Sequence, residues 1–446
     1  MSGPGLDHLP QELLLDIVKR IGMTSWGQSR NKLYSDLCLV KPLCPAATEL
    51  LYEQGAAYNI NYTLLLRAVL QHPRLGRLVR TIELSKYWWL SAPTKHDIEL
   101  YTKALKDLDP KGVVNKNWMR ALTHNESEPT DLEAKKVKWE AVAALLLLHT
   151  PNITSAILGA GKWQPNPYDT WPYWWGISFP RPCRGKDLTY LPPYANLKSL
   201  DVQCKTISLS QVVQILEMET LETLSISGIR VASCPAAGLF DAEDVSNVQS
   251  LRLFGGEIHP KALAVVIGCC KSLHSFTFES RSSGPYTNVD LSAAHIALQK
   301  HQATLRNLEL FNLEPSVRAP AGWSNFEAVE TFYMDAEGLF LDDGDWSSWP
   351  RLWRLVPRNV KRLGISRING LDMRRAFFER DGILAPLVDH MDLPCLRSLR
   401  LGTDGRHDTY TIDRRAMVRA LEDRGIEIAV RDQALMDSLP GWDEDE

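Results

Sequence analysis

The cysteines, histidines and clustered aspartates of this sequence are the residues best suited to chemistry. Eight cysteines and 11 histidines are present, yet none has the CxxC or HxxxH spacing that holds a metal ion. The adjacent pair Cys269-Cys270 lies in a predicted helix and is interpreted as part of a core. The acidic stretch 342–345 resembles the start of a calcium loop, but position 353, where such a loop needs glutamate, is tryptophan. We interpret that stretch as a solvated turn.

Motifs for nucleotide binding and nucleophilic hydrolysis are also missing. The sequence contains no GxxxxGKS, GxxxxGKT, GxGxxG or GxSxG. We therefore expect no catalytic residue, no cofactor and no metal, and the chain is not expected to be an enzyme. The residues favour binding as the function.

Charge and hydropathy narrow the range of partners. The formal net charge is only −4, so neither nucleic acid nor an anionic membrane is an expected partner. The longest clean apolar run, 141–148, is too short to span a bilayer, and the N-terminus lacks the pattern of a secretory signal. Scattered cysteines fit a reducing compartment, so we expect a cytoplasmic or nuclear location, or both.

Segment 6–52 has the pattern of a short helical module that must position any binding residues it carries. Pro10 suits the first turn of a helix, and Glu12 lies near the positive end of the helix dipole. Leu9 precedes the helix and Leu15 lies off its apolar stripe, so both are candidates for contact outside the module. The stripe itself is predicted to face a core: Pro10, Leu13, Leu14, Ile17, Val18 and Ile21.

Two further helical phrases follow, one including Leu37, Leu39 and Val40 and one from about Ala46 to Tyr52. Three motifs stand out: Leu9-Pro10-x-Glu12-Leu13, Asp36-Leu37-x-Leu39-Val40-Lys41 and Ala47-Thr48-x-x-Leu51-Tyr52. Together they resemble an F-box, although the polar stretch Gly22 to Ser35 is longer than the family usually carries. The alternative is a helical hairpin that packs on its own domain.

The F-box resemblance implies binding to a Skp-type adaptor and, through it, to a cullin of a cullin–RING ubiquitin ligase. Leu15 joins the expected contacts because it lies off the predicted core stripe. The residues that match the family's adaptor-binding motif are Leu9, Pro10, Leu13, Ile17, Leu37, Leu39, Val40 and Lys41.

Ten copies of the phrase apolar-x-x-apolar-x-apolar follow the helical module. They begin at Val79, Ile153, Leu197, Leu221, Val248, Leu273, Leu305, Val329, Val360 and Leu396. From Leu197 the starts are 24, 27, 25, 32, 24, 31 and 36 residues apart, close to the period of leucine-rich repeats. Helical stretches are predicted before several phrases, at 209–218, 260–270, 291–302 and 373–390. Repeated strand and helix predict parallel strands on one face and helices on the other.

Over about residues 150 to 430 the chain resembles irregular leucine-rich repeat proteins, and as a whole it resembles the F-box/leucine-rich repeat family. The predicted fold class is α/β: a small N-terminal helical F-box module, then an irregular leucine-rich repeat solenoid with parallel strands on the concave face. The alternative is an ordinary α/β domain whose strands share the phrase by chance. The predicted domains are 1–57, the F-box module; 58–150, a helical connecting region with a weak first repeat and a polar insert; 151–430, the repeats; and 431–446, an acidic tail.

Alternation along the predicted strands separates inward apolar residues from outward ones. The candidates for target contact are Arg252, Phe254, Glu309, Phe311, Tyr333 and Arg400, because arginine and aromatic residues are enriched at binding surfaces. As the alternative, each is a solvated strand residue or is covered by a loop. The predicted concave lining also includes Asp201, Ser225, Thr277 and Gly364, with Glu279, Asp335 and Ser366 beside them.

The Trp-rich segment 163–182 is either a recognition loop or a plug on its own repeat. The implied function is that of a substrate-recognition subunit of an SCF-type ubiquitin ligase, which holds a target near the enzyme without doing chemistry. The alternative is a non-ligase leucine-rich repeat scaffold for protein interactions. The sequence does not identify the target protein.

Overall fold

The structure of the 446-residue chain is a computed structural model. It describes residues 6, 9–23, 29–55, 61–84, 94–108, 142–143, 145–159, 195–203, 207, 209–231, 245–254, 257–280, 291–311, 323–336, 355–366, 368, 393–403 and 419–432. They belong to two compact units, one of Met1–Lys205 with Met218–Leu221 and one of Thr206–Glu217 with Glu222–Glu446. Several predicted features lie wholly or mostly outside the described residues: the polar insert 106–136 from residue 109, the Trp-rich segment 163–182, the acidic stretch 342–345, the helix 373–390 and the acidic tail 431–446 from residue 433.

Three helices form the N-terminal module, which is part of the first unit: α1 (Gln11–Met23), α2 (Ser29–Leu37) and α3 (Cys44–Gly55). Val18 of α1 and Ala47 and Leu50 of α3 are fully buried, and burial of a valine or leucine side chain stabilises by roughly 1.5–3 kcal/mol. The other buried members of this core are Leu14, Tyr34, Leu43 and Ala46.

The position of α2 corrects the predicted second helix. The prediction was a helical phrase that includes Leu37, Leu39 and Val40, whereas α2 occupies the polar stretch before them and ends at Leu37. Tyr34 is buried and Leu37 packs against the core of the module. Two apolar side chains one turn apart therefore anchor a mainly polar helix, and Leu39 and Val40 lie in the turn that follows it.

The first unit continues with α4 (Tyr62–Gln71), α5 (Pro73–Gly76) and α6 (Lys95–Leu108). Helix α4 has a clear sequence signal at each end. Its start is capped by Asn61, whose side chain accepts hydrogen bonds from the N–H groups of Thr63 and Leu64 at 3.1 and 3.3 Å. It ends before Pro73, because a residue that precedes proline disfavours the helical conformation.

A buried carboxylate joins α6 to α4. Asp97 accepts a hydrogen bond from the Thr94 N–H at 2.7 Å, and the Thr94 hydroxyl accepts one from the Asp97 N–H at 3.2 Å, which makes a capping box. The Arg67 guanidinium donates two hydrogen bonds to the same carboxylate, at 2.5 and 2.7 Å. Burial raises the pKa of Asp97, but the hydrogen bonds from Arg67 and Thr94 outweigh burial and hold that pKa at about 2.

Three parallel strands belong to the described part of the first unit: β1 (Thr81–Leu84), β2 (Ser155–Gly159) and β3 (Ser199–Gln203). Strand β2 pairs with both of the others, and the register aligns Ile82, Ala156 and Leu200. Gly159, at the end of β2, allows close approach to β3, because a Cβ there would lie 2.9 Å from the Cβ of Gln203.

Eight parallel strands form the main sheet in the described part of the second unit, and their spatial order follows the chain. Each therefore needs a return connection. The strands are β4 (Thr223–Ser227), β6 (Ser250–Phe254), β8 (Ser275–Glu279), β9 (Asn307–Phe311), β10 (Thr331–Asp335), β11 (Arg362–Ser366), β12 (Ser398–Thr403) and β13 (Glu427–Asp432). Two short strands, β5 (Arg230–Val231) and β7 (Glu257–Ile258), pair with each other in a second small parallel sheet.

Helices α7 (Leu209–Leu216), α8 (Pro260–Gly268) and α9 (Ser292–Gln299) lie between strands at three of the predicted positions. All ten predicted apolar phrases are buried, and no apolar residue of any phrase is more than 7% exposed. The α/β class is confirmed, and the order of parallel strands is compatible with a solenoid-like arrangement.

Strand β13 was not predicted, and it extends beyond residue 430. Its register with β12 aligns Leu399 with Ile428 and Leu401 with Val430. By the same alignment Gly425 corresponds to Leu396, the first apolar residue of the β12 phrase. Gly425 has a φ of 76°. The missing first apolar residue is why the phrase could not be recognised.

A repeated backbone arrangement fixes where the strands begin. The carbonyl of Arg306, just before β9, accepts hydrogen bonds from the N–H groups of Glu330 and Thr331 at 2.8 and 3.0 Å. The carbonyl of Glu330 accepts from Lys361 and Arg362 at 2.7 and 3.0 Å in the same way. We call the residues immediately before these strands the head row: Glu222, Gln249, His274, Arg306, Glu330, Lys361 and Arg397.

Candidate functional site

Helix α1 buries one face and exposes the face beside it. Successive residues turn about 100° around a helix, so Leu14 and Val18 share the face that packs on the core of the module. Leu13 lies about 100° from Leu14 around the helix and is 50% exposed. Ile21 has nearly the same direction as Leu14 but lies near the C-terminal end of the helix, and it is 36% exposed. Pro10 is exposed as well. The prediction that the whole stripe faces a core is therefore wrong for Pro10, Leu13 and Ile21.

The turn between α2 and α3 exposes further apolar surface. Leu39 is 85% exposed and Val40 41% exposed, and Lys41 beside them is exposed too. The N–H of Leu39 donates to the Asp36 carbonyl at 3.1 Å, and that of Cys44 donates to the Val40 carbonyl at 2.9 Å. A hydrogen-bonded turn thus presents these side chains to solvent. We call the following residues the exposed apolar set: Pro10, Leu13, Ile21, Leu39 and Val40.

The remaining predicted adaptor contacts are partly buried. Leu9, Leu15 and Leu37 pack against the core of the N-terminal module, and Ile17 is half-buried. The expectation that Leu15 lies free of that core is wrong, because Leu15 lies about 60° around the helix from the buried Val18 and so is at the edge of the same packed face. Ile21 was absent from the predicted contacts. Its exposure makes it a further candidate for contact with a partner.

The strands of the second unit align the predicted outward residues in two rows. The middle row contains Ser225, Arg252, Thr277, Glu309, Tyr333, Gly364 and Arg400. The end row contains Ser227, Phe254, Glu279 and Phe311, and then Asp335 and Ser366. In the first unit, Asp201 of β3 aligns with Ile157 of β2.

Not every predicted outward residue lines an open surface. Arg252 is exposed, and the other predicted target contacts are half-buried: Phe254, Glu309, Phe311, Tyr333 and Arg400. Thr277 and Asp335 are only 3% and 1% exposed, so their predicted place in the lining is wrong. The Thr277 hydroxyl donates to Oε2 of Glu309 at 3.1 Å, and the Ser366 hydroxyl donates to the Asp335 carboxylate.

Gly364 is also covered, and the covering group is an aromatic ring. A Cβ on Gly364 would lie 1.7 Å from Cδ1 of Tyr333, so the ring occupies the space that a side chain would take. On its other side Tyr333 meets Phe311, with ring centroids 6.3 Å apart. The structure thus brings together Phe311 and Tyr333, two of the predicted target contacts.

The adjacent thiols Cys269 and Cys270 are buried, as predicted. Burial raises the pKa of Cys269 to about 11 and that of Cys270 to about 12. Both thiols therefore stay protonated at neutral pH, and a protonated thiol is a poor nucleophile and metal ligand.

Among the described residues, no group of three or more histidine, cysteine, aspartate or glutamate side chains could hold a metal ion. No helix in that part of the chain combines the length and the apolar character needed to cross a bilayer. The exposed apolar set and the two strand rows remain as the candidate sites, and both have the chemistry of binding surfaces.

No protein-family model matches this chain, and a search of curated protein sequences found no significant match.

Proposed function

We propose that the chain is the substrate-recognition subunit of an SCF-type cullin–RING ubiquitin ligase. Its N-terminal module would be an F-box that binds a Skp-type adaptor, and its irregular leucine-rich repeats would hold the target protein. Such a subunit would work in the cytoplasm, the nucleus or both.

The observation that carries the proposal is the exposed apolar set. A helical module of this size needs most of its apolar residues for its own core. Even so, Leu13 is 50% exposed and Leu39 is 85% exposed. Exposed apolar side chains concentrated in one small module are typical of a surface that a partner covers. Four members of the set, Pro10, Leu13, Leu39 and Val40, fall within the motifs that resemble an F-box.

The repeated strands of the second unit provide a second candidate binding surface. A parallel sheet built from repeated strands presents rows of side chains to a partner, and Phe311 with Tyr333 offers aromatic surface of the kind that dominates interfaces. Joining two binding surfaces in one chain raises the local concentration of a target near a ubiquitin-conjugating enzyme. No catalytic group in this chain is required.

The test is a binding experiment with a purified Skp-type adaptor. We expect the double variant Leu13→Asp, Leu39→Asp to bind the adaptor at least tenfold more weakly, because two carboxylates would be placed in an apolar interface. Binding is measured by calorimetry, and circular dichroism checks that the variant is folded.

A matched control uses an exposed apolar residue elsewhere. Ile296 on α9 is 67% exposed, so Ile296→Asp replaces an exposed aliphatic side chain with one carboxylate without touching the N-terminal module. Adaptor binding should be unchanged in this variant. Equal binding by the unmodified chain and the double variant would rule out the proposed contact.

Pull-down from cell extract distinguishes the ligase from the non-ligase scaffold. Recovery of both adaptor and cullin with the unmodified chain supports the ligase. Recovery of the adaptor without any cullin supports a scaffold that uses the adaptor for another purpose.

A further inference from the structure

The head row carries excess positive charge over strands β9 to β12. Arg306, Lys361 and Arg397 belong to the head row there, and Arg362 follows as the first residue of β11. The side chains of Arg306 and Lys361 are 65% and 42% exposed, and Arg362 and Arg397 are exposed as well. We call these four residues the basic strip.

Glu330 is the head-row residue between Arg306 and Lys361, and it partly neutralises them. Its carboxylate lies 3.2 Å from Nη1 of Arg306 and 2.9 Å from Nζ of Lys361. The hydrogen bond from Lys361, with the nearby charges of Arg306 and Arg362, lowers the pKa of Glu330. One carboxylate is thus shared among several cations.

Charges on the adjoining elements leave the balance positive. The turn before β11 adds Arg358 and the turn before β10 adds Glu327, and both are exposed. The turn before β13 and its first position add four more exposed charged residues: Glu422, Asp423, Arg424 and Glu427. At these strand heads and in these turns six cations therefore accompany five carboxylates. The cations are Arg306, Arg358, Lys361, Arg362, Arg397 and Arg424, and the carboxylates are Glu327, Glu330, Glu422, Asp423 and Glu427.

We propose that the basic strip binds an acidic segment of the target protein. Neighbouring strands lie about 4.8 Å apart, so a segment that crosses the strand heads meets a cation at three of the four head-row positions, Arg306, Lys361 and Arg397. Excess positive charge selects carboxylate-rich chains and accelerates their association. Calling this partner the target rests on the proposed function, whereas the binding itself requires no adaptor.

The test uses a fluorescein-labelled hexaglutamate peptide and the full chain without any adaptor protein. Fluorescence anisotropy at low salt measures its affinity, and a hexalysine peptide serves as the negative control. In the triple variant Lys361→Gln, Arg362→Gln, Arg397→Gln, we expect hexaglutamate to bind about tenfold more weakly, because three exposed ion pairs are lost. Added salt should weaken binding to the unmodified chain.

A matched control variant removes three positive charges from the first unit instead. Arg74, Lys103 and Lys106 are all exposed, so Arg74→Gln, Lys103→Gln, Lys106→Gln should leave the peptide affinity unchanged. A further variant, Glu330→Gln, should bind hexaglutamate two- to threefold more tightly, because it releases Arg306 and Lys361 from their shared carboxylate. A gain of affinity cannot be produced by misfolding.

Two outcomes would overturn the proposal. One is equal weakening in both triple variants, which would mean that only net charge matters. The other is failure of the unmodified chain to prefer hexaglutamate over hexalysine. Loss of adaptor binding would contradict the proposed F-box and leave this peptide result intact, so the two failures are distinguishable.

Discussion

At the scale of single residues, Asp97 is the clearest case of a charge held in place by its partners. Its carboxylate is buried and receives two hydrogen bonds from Arg67 and two from Thr94. Removal of one member of a buried pair leaves the other charge without compensation, which is strongly destabilising. The pair therefore matters more than an ion pair on the surface.

The lowered pKa of Asp97 makes a pH-dependent contribution to stability. The folded pKa is about 2 and the ordinary value is 3.8, so the contribution is fully present above pH 4. It is lost as the pH falls from about 4 to 2, because the unfolded chain takes up a proton first. We expect about 1 to 2 kcal/mol, allowing for solvent screening near the partly exposed Arg67.

The substitution Asp97→Asn tests this contribution. At pH 7 we expect the free energy of unfolding to fall by about 2 kcal/mol, because Arg67 keeps its charge and loses its carboxylate. Urea unfolding followed by circular dichroism at pH 7, 4 and 2 measures the difference between variant and unmodified chain. That difference should shrink at pH 2, and a difference independent of pH would contradict the assignment.

At the scale of the elements, sequence periodicity predicted most of the strands because burial imposes it. Every apolar phrase marks a strand with alternating faces, and all ten were found. Strand β13 was missed because Gly425 replaces its first apolar residue. Helix α2 was predicted too far along the chain because it is mainly polar and Tyr34 and Leu37 anchor it. The ion pair of Arg67 with Asp97 joins residues 30 positions apart, and no local pattern encodes such a contact.

Sequence periodicity also could not predict which residues of the candidate sites are exposed. Periodicity placed Leu13, Leu14 and Val18 on one stripe, but the neighbouring helices decide which edge of the stripe is covered. The outward position of Thr277 followed from strand alternation, whereas its burial and its hydrogen bond to Glu309 on the next strand did not. Packing between elements is therefore what the sequence alone could not supply.

Strand β11 provides a test of this packing through Gly364. We expect Gly364→Ala to lower the free energy of unfolding by about 1 to 3 kcal/mol, because its Cβ would collide with the Tyr333 ring at 1.7 Å. In a Tyr333→Ala background the same substitution should cost much less, because the ring is gone. Urea unfolding of both single variants and the double variant measures the coupling.

The control for this cycle is Gly268 at the end of α8. A Cβ there meets no atom within 4 Å, so Gly268→Ala should be neutral or slightly stabilising. Equal losses for Gly364→Ala with and without the Tyr333 ring would show that the collision is not the cause.

At the scale of the whole molecule, the two proposed surfaces belong to different units. The exposed apolar set lies in the first unit and the basic strip in the second. A tether works only if both surfaces can be occupied in the same molecule.

We therefore expect the two binding activities to be independent. The affinity of the chain for hexaglutamate should stay within twofold when a saturating amount of adaptor is added. The variant Leu13→Asp, Leu39→Asp should also retain its peptide affinity. Anisotropy titrations with and without adaptor measure this, and mutually exclusive binding would contradict the tethering mechanism.

The backbone arrangement at the strand heads has a consequence for how such a surface evolves. Each head-row residue holds the next strand through its carbonyl, a group that every amino acid carries. The head-row side chain contributes nothing to that bond, so arginine, lysine, glutamate, glutamine and histidine all occupy the same position in successive repeats. Replacing these side chains would change which partner is recognised while the scaffold stays the same. The partner that the strand heads recognise can therefore change without a change in the fold.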